Sequence, residues 1–422
     1  MTMTQSVPPV VAGPEGVRRL FAADGPHLGS HLAAFGPAPR SVDTPVLLAE
    51  LERSGLAGRG GAGFPTWRKL AATESAAHDP ARRLRRRAVV IANGAEGEPL
   101  SRKDETLLRA APHLILDGLL LVAASIGTKD AVLYAPSTSL AAVARAVDER
   151  QDARGVRLVE APETFLSGEA TAVVNAVGGG PAIPRDHVRR MAESGLGGRP
   201  TLVQNVETLA HIALIVRFGA AWFRSQGTDD EAGTRLVSVS GDVATPQVFE
   251  VPGGASVGSA LAAAGAPPRS LRAVLVGGYH GAWLPAERLD TALSVEGLAP
   301  FGAAPGAGIL MALGSDRCGL EASAEIATYL ASQSARQCGP CANGLPRLAD
   351  VLTRLAAGDR STWLPGEVRR LAALVAGRGS CHHPDGTARL VLSSLTVFSS
   401  DVQAHLAGRC EAHPGRRIGS GR

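Results

Sequence analysis

The chain has 422 residues, 45% of them apolar and 4% aromatic, with 43 basic against 39 acidic side chains and a net charge of +4. That length accommodates several domains with cores of their own. Few aromatics and near charge balance argue against a nucleic-acid partner, which needs a basic surface interleaved with stacking rings. The longest apolar run, Leu114 to Ile126, is interrupted by Asp117 and is too short to span a bilayer. Met1 to Pro14 lacks the charged and apolar regions of a signal peptide. These features predict a cytoplasmic protein, or one peripheral to a membrane complex, without direct membrane insertion. Of five cysteines the first is Cys318, and three lie between Cys338 and Cys381, which points to a local cofactor site rather than a disulfide framework.

Residues 1–43 are rich in Pro, Gly and Ala and read as a poorly structured start and a packing arm, with one short helical candidate at Val17 to Ala23. Thr44 to Ser54 reads as a helix with Leu47, Leu48 and Leu51 on one side. Gly55 to Lys69, GLAGRGGAGFPTWRK, holds five glycines in fifteen residues. Its backbone can reach positive φ and form a nest of N–H groups, and Arg59 and Lys69 supply cations, a combination suited to an anionic cofactor. Gly58, Gly60 and Gly63 satisfy G-x-G-x-x-G, but a helix precedes them where a dinucleotide-binding turn requires a strand. Only three residues of the chain are lysine, so Lys69 is informative.

Ala88 to Ala92 reads as a buried strand that delivers Asn93, Glu96 and Glu98 at its C-terminal end, where open α/β sheets bind ligands; a solvated acidic turn is the alternative. The basic run Arg82 to Arg87 before it reads as a solvated loop. Lys103 and Asp104 open a helix through Leu108. A helix over Asp117 to Ile126, a strand over Ala131 to Tyr134, a helix over Leu140 to Ala146 and a strand over Val156 to Val159 then alternate, which predicts a parallel sheet with helices on its faces. Phe165 to Thr171, with Gly168 and Glu169, opens a helical run to Ala176; the glutamate is either a ligand or a helix-dipole partner. Pro200 to Thr208 reads as a short strand followed by Gln204, Asn205 and Thr208, donors that a flavin or ribityl chain would need, before a helix over Leu209 to Phe218.

The polar segment Gly227 to Thr234 marks a domain boundary. Beyond it a hairpin (Leu236 to Ser240, Val248 to Val251), a helix (Ser256 to Ala263) and two strands (Ala273 to Val276, Ile309 to Ala312) suggest a β-grasp-like module. From Ala322 the period is helical, with Leu345, Leu348, Leu352 and Leu355 on one face and Val391, Leu395, Phe398, Val402 and Leu406 on another, as in a small helical bundle. Cys338-Gly-Pro-Cys341 and Cys381-His-His-Pro384 flank its core helices. The expected division is arm 1–43, cofactor domain 44–233, β-grasp domain 234–321, cysteine-bearing helical bundle 322–408 and tail 409–422.

Together these segments resemble, over about residues 45–408 and in the same order, the FMN- and NADH-binding flavoprotein subunit of NADH:quinone oxidoreductase, the NuoF family of respiratory complex I. The family's SGLRGRGGAGFPTGxKW falls on Ser54 to Leu70, NADExEPGxxKDR on Asn93 to Glu105, YxxGEETAL on Phe165 to Val173, GxPTxxNNVET on Gly198 to Thr208 and SCGxCxPCRxG on Ser334 to Gly344. The resemblance implies an α/β Rossmann-like FMN domain, a β-grasp domain of the soluble-ligand-binding type and a C-terminal helical bundle with an iron-sulfur site. It makes Gly58, Arg59, Gly60, Gly61 and Lys69 the FMN phosphate loop and places Asn93, Glu96, Gly168, Glu169, Gln204, Asn205 and Thr208 around the flavin, with Phe64 and Glu98 toward NADH. Ala95, Ala170, Gln204 and Leu100 depart from the motifs, the family's lysine and aromatic for NADH fall in His187 to Met191 without an equivalent, and Ala335 replaces the first cluster cysteine.

Cys338, Cys341 and Cys381 thus fill three positions of a 4Fe-4S cluster. The fourth ligand is water, His382 or His383, or the cluster is 3Fe-4S; a redox dithiol or a structural remnant are the rival readings, and Cys318 and Cys410 fall outside the site by position. The implied function is an oxidoreductase that takes electrons from NADH or NADPH onto FMN and passes them to an iron-sulfur or ferredoxin-type acceptor protein. A ferredoxin-linked FMN protein without nicotinamide use and a non-catalytic binding or assembly paralogue are the alternatives.

Overall fold

The computed structural model describes residues 16–39, 41–79, 87–185, 189–267, 270–414 and 418. Most of the unstructured start expected at the N-terminus, most of the basic run at 82–87 and part of 187–191 lie outside them. The chain divides into two compact units, Met1–Ser238 with Gln247–Ala255, and Val239–Pro246 with Ser256–Arg422.

Among the described residues the first helix is α1 (Leu28–Phe35), not Val17 to Ala23. At the latter the chain turns, because the Leu20 amide donates to the Glu250 carboxylate at 2.9 Å instead of to a helical carbonyl, and Leu20 and Phe21 are buried. Helix α2 (Thr44–Ser54) buries Leu47 and Leu51 and stops at Gly55, whose φ of 69° is left-handed. Helix α3 (Thr66–His78) follows the glycine-rich loop. Then come β1 (Val89–Asn93), α4 (Lys103–Ala110), α5 (Pro112–Ser125), β2 (Ala131–Ala135), α6 (Ser137–Asp148), β3 (Arg157–Glu160), α7 (Ala170–Val177), β4 (Thr201–Asn205) and α8 (Val206–Arg224).

The four strands are parallel in the order β3-β2-β1-β4, with Asn93 at the end of β1 in register with Asn205 at the end of β4. The chain steps outward from β1 through β2 to β3 and then returns to the other side of β1. The carboxyl ends of β1 and β4 therefore flank a topological switch point, where a crevice opens between connections that leave in opposite directions.

Helices α5 and α8 meet backbone to backbone: a Cβ on Gly118 would stand 2.0 Å from the Leu209 carbonyl oxygen. Asp117, the charge in the apolar run, is buried and receives hydrogen bonds from His31 at 2.8 Å, Arg150 at 2.6 Å and Arg217 at 2.5 Å. Burial alone would raise its pKa, but the His31 hydrogen bond and the two guanidiniums hold it at about 2. Among the described residues α8 is the single helix long and apolar enough to cross a membrane; 67% of its apolar window is buried, and it carries the buried Glu207.

Strands β5 (Thr234–Gly241) and β6 (Gln247–Pro252) are neighbours. In the second unit, after α9 (Val257–Ala263), strand β7 (Leu271–Val276) pairs antiparallel with β8 (Ala282–Pro285) and β9 (Ile309–Gly314), with α10 (Val295–Leu298) between the last two. Strand β8 has only four residues, too few for a periodic signal in the sequence, and it buries Trp283, whose indole N–H donates to Ser323 Oγ at 2.9 Å. Helices α11 (Gly319–Ser332), α12 (Leu345–Ala356), α13 (Leu364–Val375), α14 (His383–Val397) and α15 (Ser399–Leu406) complete the unit. The face Leu345, Leu348, Leu352 and Leu355 of α12 is fully buried. The stripe from Val391 to Val402 is buried too, but it is carried by two helices, because Phe398 (φ −103°, ψ 36°) breaks the run.

Candidate functional site

The glycine loop between α2 and α3 is closed at its neck: Gly58 N–H donates to the Phe64 carbonyl at 2.9 Å and Thr66 N–H to the Leu56 carbonyl at 3.0 Å. Gly61 (φ 109°) and Gly63 (φ 61°) hold conformations that side chains disfavour, and residues 60–64 are exposed. A Cβ on Gly60 would lie 3.2 Å from Asn205 Cβ, so the loop rests against the end of β4. Lys69 reaches the middle of the same strand, donating from Nζ to the Val203 carbonyl at 2.5 Å. Burial pushes its ammonium down to about 8, and among the described residues no carboxylate pairs with it. A desolvated cation with one neutral partner on the strand that an exposed glycine-rich loop rests against is a fitting host for a phosphate.

Arg59, expected to bring a second cation to that loop, does not. Its guanidinium is buried and donates to the Ala232 and Thr234 carbonyls at 3.1 and 3.0 Å, with Glu231 at 3.8 Å, while its backbone N–H donates to Thr208 Oγ1 at 2.9 Å. Arg59 and Thr208 therefore brace the loop from beneath.

At the ends of β1 and β4 three segments converge. Asn93 Nδ2 donates to the Gly168 carbonyl at 2.9 Å. A Cβ on Gly97 would lie 2.2 Å from the Phe165 carbonyl oxygen, and one on Gly168 2.7 Å from that of Ala95, so residues 93–98 touch residues 164–168 through bare backbone. Glu96 accepts from Ser101 Oγ and, at 2.9 Å, from Glu105 N–H, capping α4. Glu169 caps α7, accepting on Oε2 from the N–H groups of Thr171 and Ala172 at 2.9 and 3.0 Å. Its other oxygen has no protein partner among the described residues. Glu98 accepts from Leu100 N–H at 3.4 Å, Gln204 is buried within β4, and Phe64 is 52% exposed at the rim.

Beneath these loops lies a charged cluster that the sequence pattern does not assemble. Lys103 Nζ is buried between Asp104 Oδ1 at 2.7 Å and Glu207 Oε2 at 2.9 Å. Asp104 Oδ2 in turn accepts from Asn205 Nδ2 at 2.6 Å, and Glu207 Oε1 from Leu236 N–H at 2.8 Å. Burial acts to lower the Lys103 pKa, but the two carboxylates outweigh it and raise it. Glu207 is held well below the carboxylate range by Lys103 and His211 despite burial, whereas burial raises Asp104, which shares one ammonium with a second carboxylate. A signal existed in the sequence: Glu207 and Lys103 each open a helix immediately after a candidate ligand loop. A cavity of about 910 Å³ elsewhere in this unit is lined by Leu28, His31, Asp117 and Arg150 among others, and by none of the loop residues.

In the second unit Cys341 is buried and Cys338 and Cys381 are half-buried. Burial, with the neighbouring Cys338 and Cys381 thiols adding to it, pushes the Cys341 thiol up to about 12. A π-helical turn, Pro340–Gly344, carries Cys341 into α12, and Arg336 just upstream has φ 54°, unusual for a residue with a Cβ. His382 is exposed, its Nδ1 paired with Asp385 at 3.0 Å. His383 is buried with both ring nitrogens engaged, Nε2 with the Leu330 carbonyl at 2.8 Å and Nδ1 with His280 Nε2 at 2.9 Å. Helix α11 precedes the CGPC turn, where a thioredoxin-like dithiol requires a strand.

Comparison with known proteins bears on both sites. The description "Nuo51 FMN-binding domain" matches residues 51–214, and "NADH-ubiquinone oxidoreductase-F iron-sulfur binding region" matches residues 321–405. A NuoF-type NADH-quinone oxidoreductase subunit of Rhizobium meliloti is 30% identical over 391 residues, covering 88% of this chain and 91% of the relative. The chain belongs to the NuoF family of NADH-quinone oxidoreductase subunits. The corresponding NADH-quinone oxidoreductase subunit of Streptomyces coelicolor is 29% identical over 88% of this chain and 85% of its own. The NADP-reducing hydrogenase subunit HndC of Solidesulfovibrio fructosivorans is 27% identical over 88% of this chain and 78% of its own. A solved structure of an NAD+-reducing [NiFe]-hydrogenase in the air-oxidised state superposes with a TM-score of 0.79 at 30% identity over 91% of this chain; this chain spans 65% of the length of that one. The protein is thus an oxidoreductase subunit whose cofactors are FMN, a nicotinamide dinucleotide and an iron-sulfur cluster.

Proposed function

We propose that the loops at the ends of β1 and β4 hold FMN and present it to NADH or NADPH, and that Cys338, Cys341 and Cys381 hold the cluster through which electrons leave for an iron-sulfur or ferredoxin-type acceptor. FMN, when bound, supplies the conversion of a two-electron donor into single electrons. The observation that carries the reading is Lys69, a desolvated ammonium without a carboxylate beside an exposed glycine loop at a switch point. Lys69 and the N–H groups of Gly60 to Gly63 take the phosphate; Asn93 and the free oxygen of Glu169 orient the flavin; Arg59, Glu96, Asn205 and Thr208 fix the loops. Phe64, exposed at the rim, and Glu98 meet the dinucleotide. Residues 44–233 are the Rossmann-like FMN domain, 234–321 the β-grasp domain and 322–408 the cluster-binding bundle, with 1–43 as arm and 409–422 as tail.

Lys69→Ala and Gly60→Val are expected to abolish flavin retention while the circular dichroism spectrum stays that of the wild type, since the loop contributes donors rather than core. Full flavin occupancy in both would refute the assignment. A pH dependence follows with a defined sign. Lys69 in the flavin-free protein is charged below about 8 and neutral above it. Phosphate favours the charged form, so FMN affinity falls by about tenfold per pH unit above that point, as proton linkage requires, and the slope disappears in Lys69→Ala. Anaerobic addition of NADH or NADPH should bleach the bound flavin; failure of both, with bleaching by dithionite, would replace the nicotinamide donor by a ferredoxin-type one.

A further inference from the structure

Cys318, just before α11, and Cys410, just beyond α15, lie outside the iron-sulfur motif, yet they are neither exposed nor isolated. Cys318 is the N-cap of α11, Asp401 and His405 sit one turn apart on the same side of α15, and Cys410 follows in the turn that α15 ends in. All four are buried, and one ligand atom from each lies within 4.8 Å of the others. We propose that Cys318, Asp401, His405 and Cys410 bind a zinc ion, separate from the cluster site.

Geometry, donor chemistry and charge each favour this ion. Thiolate and imidazole ligands at zinc's usual bond lengths and tetrahedral angles lie about 3.5 to 3.8 Å apart, and Cys318 Sγ is 3.4 Å from His405 Nε2. The other nitrogen, His405 Nδ1, faces the Leu355 carbonyl at 3.3 Å, the outer hydrogen bond that fixes the tautomer leaving Nε2 as a lone-pair donor. Asp401 is completely buried: Arg272 donates to its Oδ2 at 2.8 Å, while Oδ1 has no hydrogen-bond partner. A buried carboxylate oxygen without a donor is costly unless a cation meets it. Two thiolates and a carboxylate carry three negative charges, which a divalent ion and the Arg272 guanidinium together neutralise. Two sulfurs, one imidazole and one carboxylate form the mixed soft and borderline set that suits four-coordinate zinc rather than magnesium or calcium. His413 Nδ1, 3.6 Å from Cys410 Sγ, is placed to donate to that thiolate. The ion would tie the last helix to the start of α11.

The test is metal analysis of the full chain purified with its cofactors. About one zinc per chain, in addition to iron, is expected for a closed four-ligand site. It should be lost in Cys410→Ser and His405→Gln and kept in Cys338→Ser/Cys381→Ser, which removes the iron. Cobalt substituted into that double variant should give thiolate charge-transfer bands together with intense tetrahedral d–d bands, a readout that needs no alteration of the proposed ligands. Zinc retained in both ligand variants would overturn the proposal. So would a zinc-free wild type in which Cys318 and Cys410 are joined as a disulfide or are both alkylated as free thiols.

Discussion

Replacing Lys103 with methionine should destabilise the protein by about 3–5 kcal/mol, the cost typical of removing one partner from a buried ion pair. Lys103 is 1% exposed and holds apart two carboxylates, Asp104 and Glu207, that are themselves buried. Without the ammonium both must either stay charged in an apolar site or take up protons. The sign of the pH dependence follows: their folded-state pKa values rise above the unfolded ones, so the variant recovers stability as pH falls through the raised values toward the ordinary carboxylate range. The wild type lacks that recovery for Glu207, whose pKa is lowered in the fold. Urea unfolding at several pH values checks this, and a Lys103→Met/Glu207→Gln double variant should regain part of the loss. The flavin loops feel the change as well, because Asp104 anchors Asn205, against which Gly60 rests. A Lys103→Met protein within about 1 kcal/mol of wild type, the range of a surface ion pair, would show that the cluster is not the support described.

The sheet and most helices were legible in the sequence because their signals are local. Buried runs such as Val89 to Ala92 end at turn residues, and the Leu345 to Leu355 stripe repeats at the helical period. Helix α1 escaped because Gly29, Ser30 and His31 interrupt its apolar face, and His31 is inside only because Asp117, 86 residues away, accepts from it. The candidate ligand loops were legible as one glycine-rich segment between helices and as polar segments after strands, whereas the division of labour within them was not. Arg59 reads as a phosphate cation, yet carbonyls at 232 and 234 claim it. Glu96 and Glu169 read equally well as ligands or caps, and the choice depends on which N–H groups lie within reach. Cys318 and Cys410 stand too far apart in the chain to suggest a shared role. Only the return of α15 to the start of α11 joins them, a long-range event with no local period to announce it.

The protein should hold close to four irons, the complement of a cube, after anaerobic reconstitution and lose one of them in air, and Ala335→Cys should suppress that loss. The proposed ligands Cys338, Cys341 and Cys381, near enough for the first and last to act on the pKa of the second, account for three positions. Neither histidine beside Cys381 is positioned to be the fourth: His382 points to solvent and pairs with Asp385, and His383 has both nitrogens engaged within the fold. One iron of the cluster would then be left to solvent, a weaker and exchangeable ligand, and the protein would contribute one negative charge fewer; both would raise the reduction potential and make that iron the one that oxidation removes. Position 335 is suited to restore the missing thiolate. Ser334 Oγ is 3.4 Å from the Cys341 carbonyl, holding this loop against the second cysteine, and the left-handed turn at Arg336 lies between Ala335 and Cys338. Iron and sulfide content, with the electron paramagnetic resonance signal of an oxidised three-iron centre, follows the conversion without any turnover. His382→Ala and His383→Gln should retain four irons; loss of one in either would make that histidine the fourth ligand. A reconstituted wild type that binds flavin and no iron would leave Cys338 and Cys341 as a dithiol or a relic, and an Ala335→Cys variant as labile in air as the wild type would place the open ligand position elsewhere.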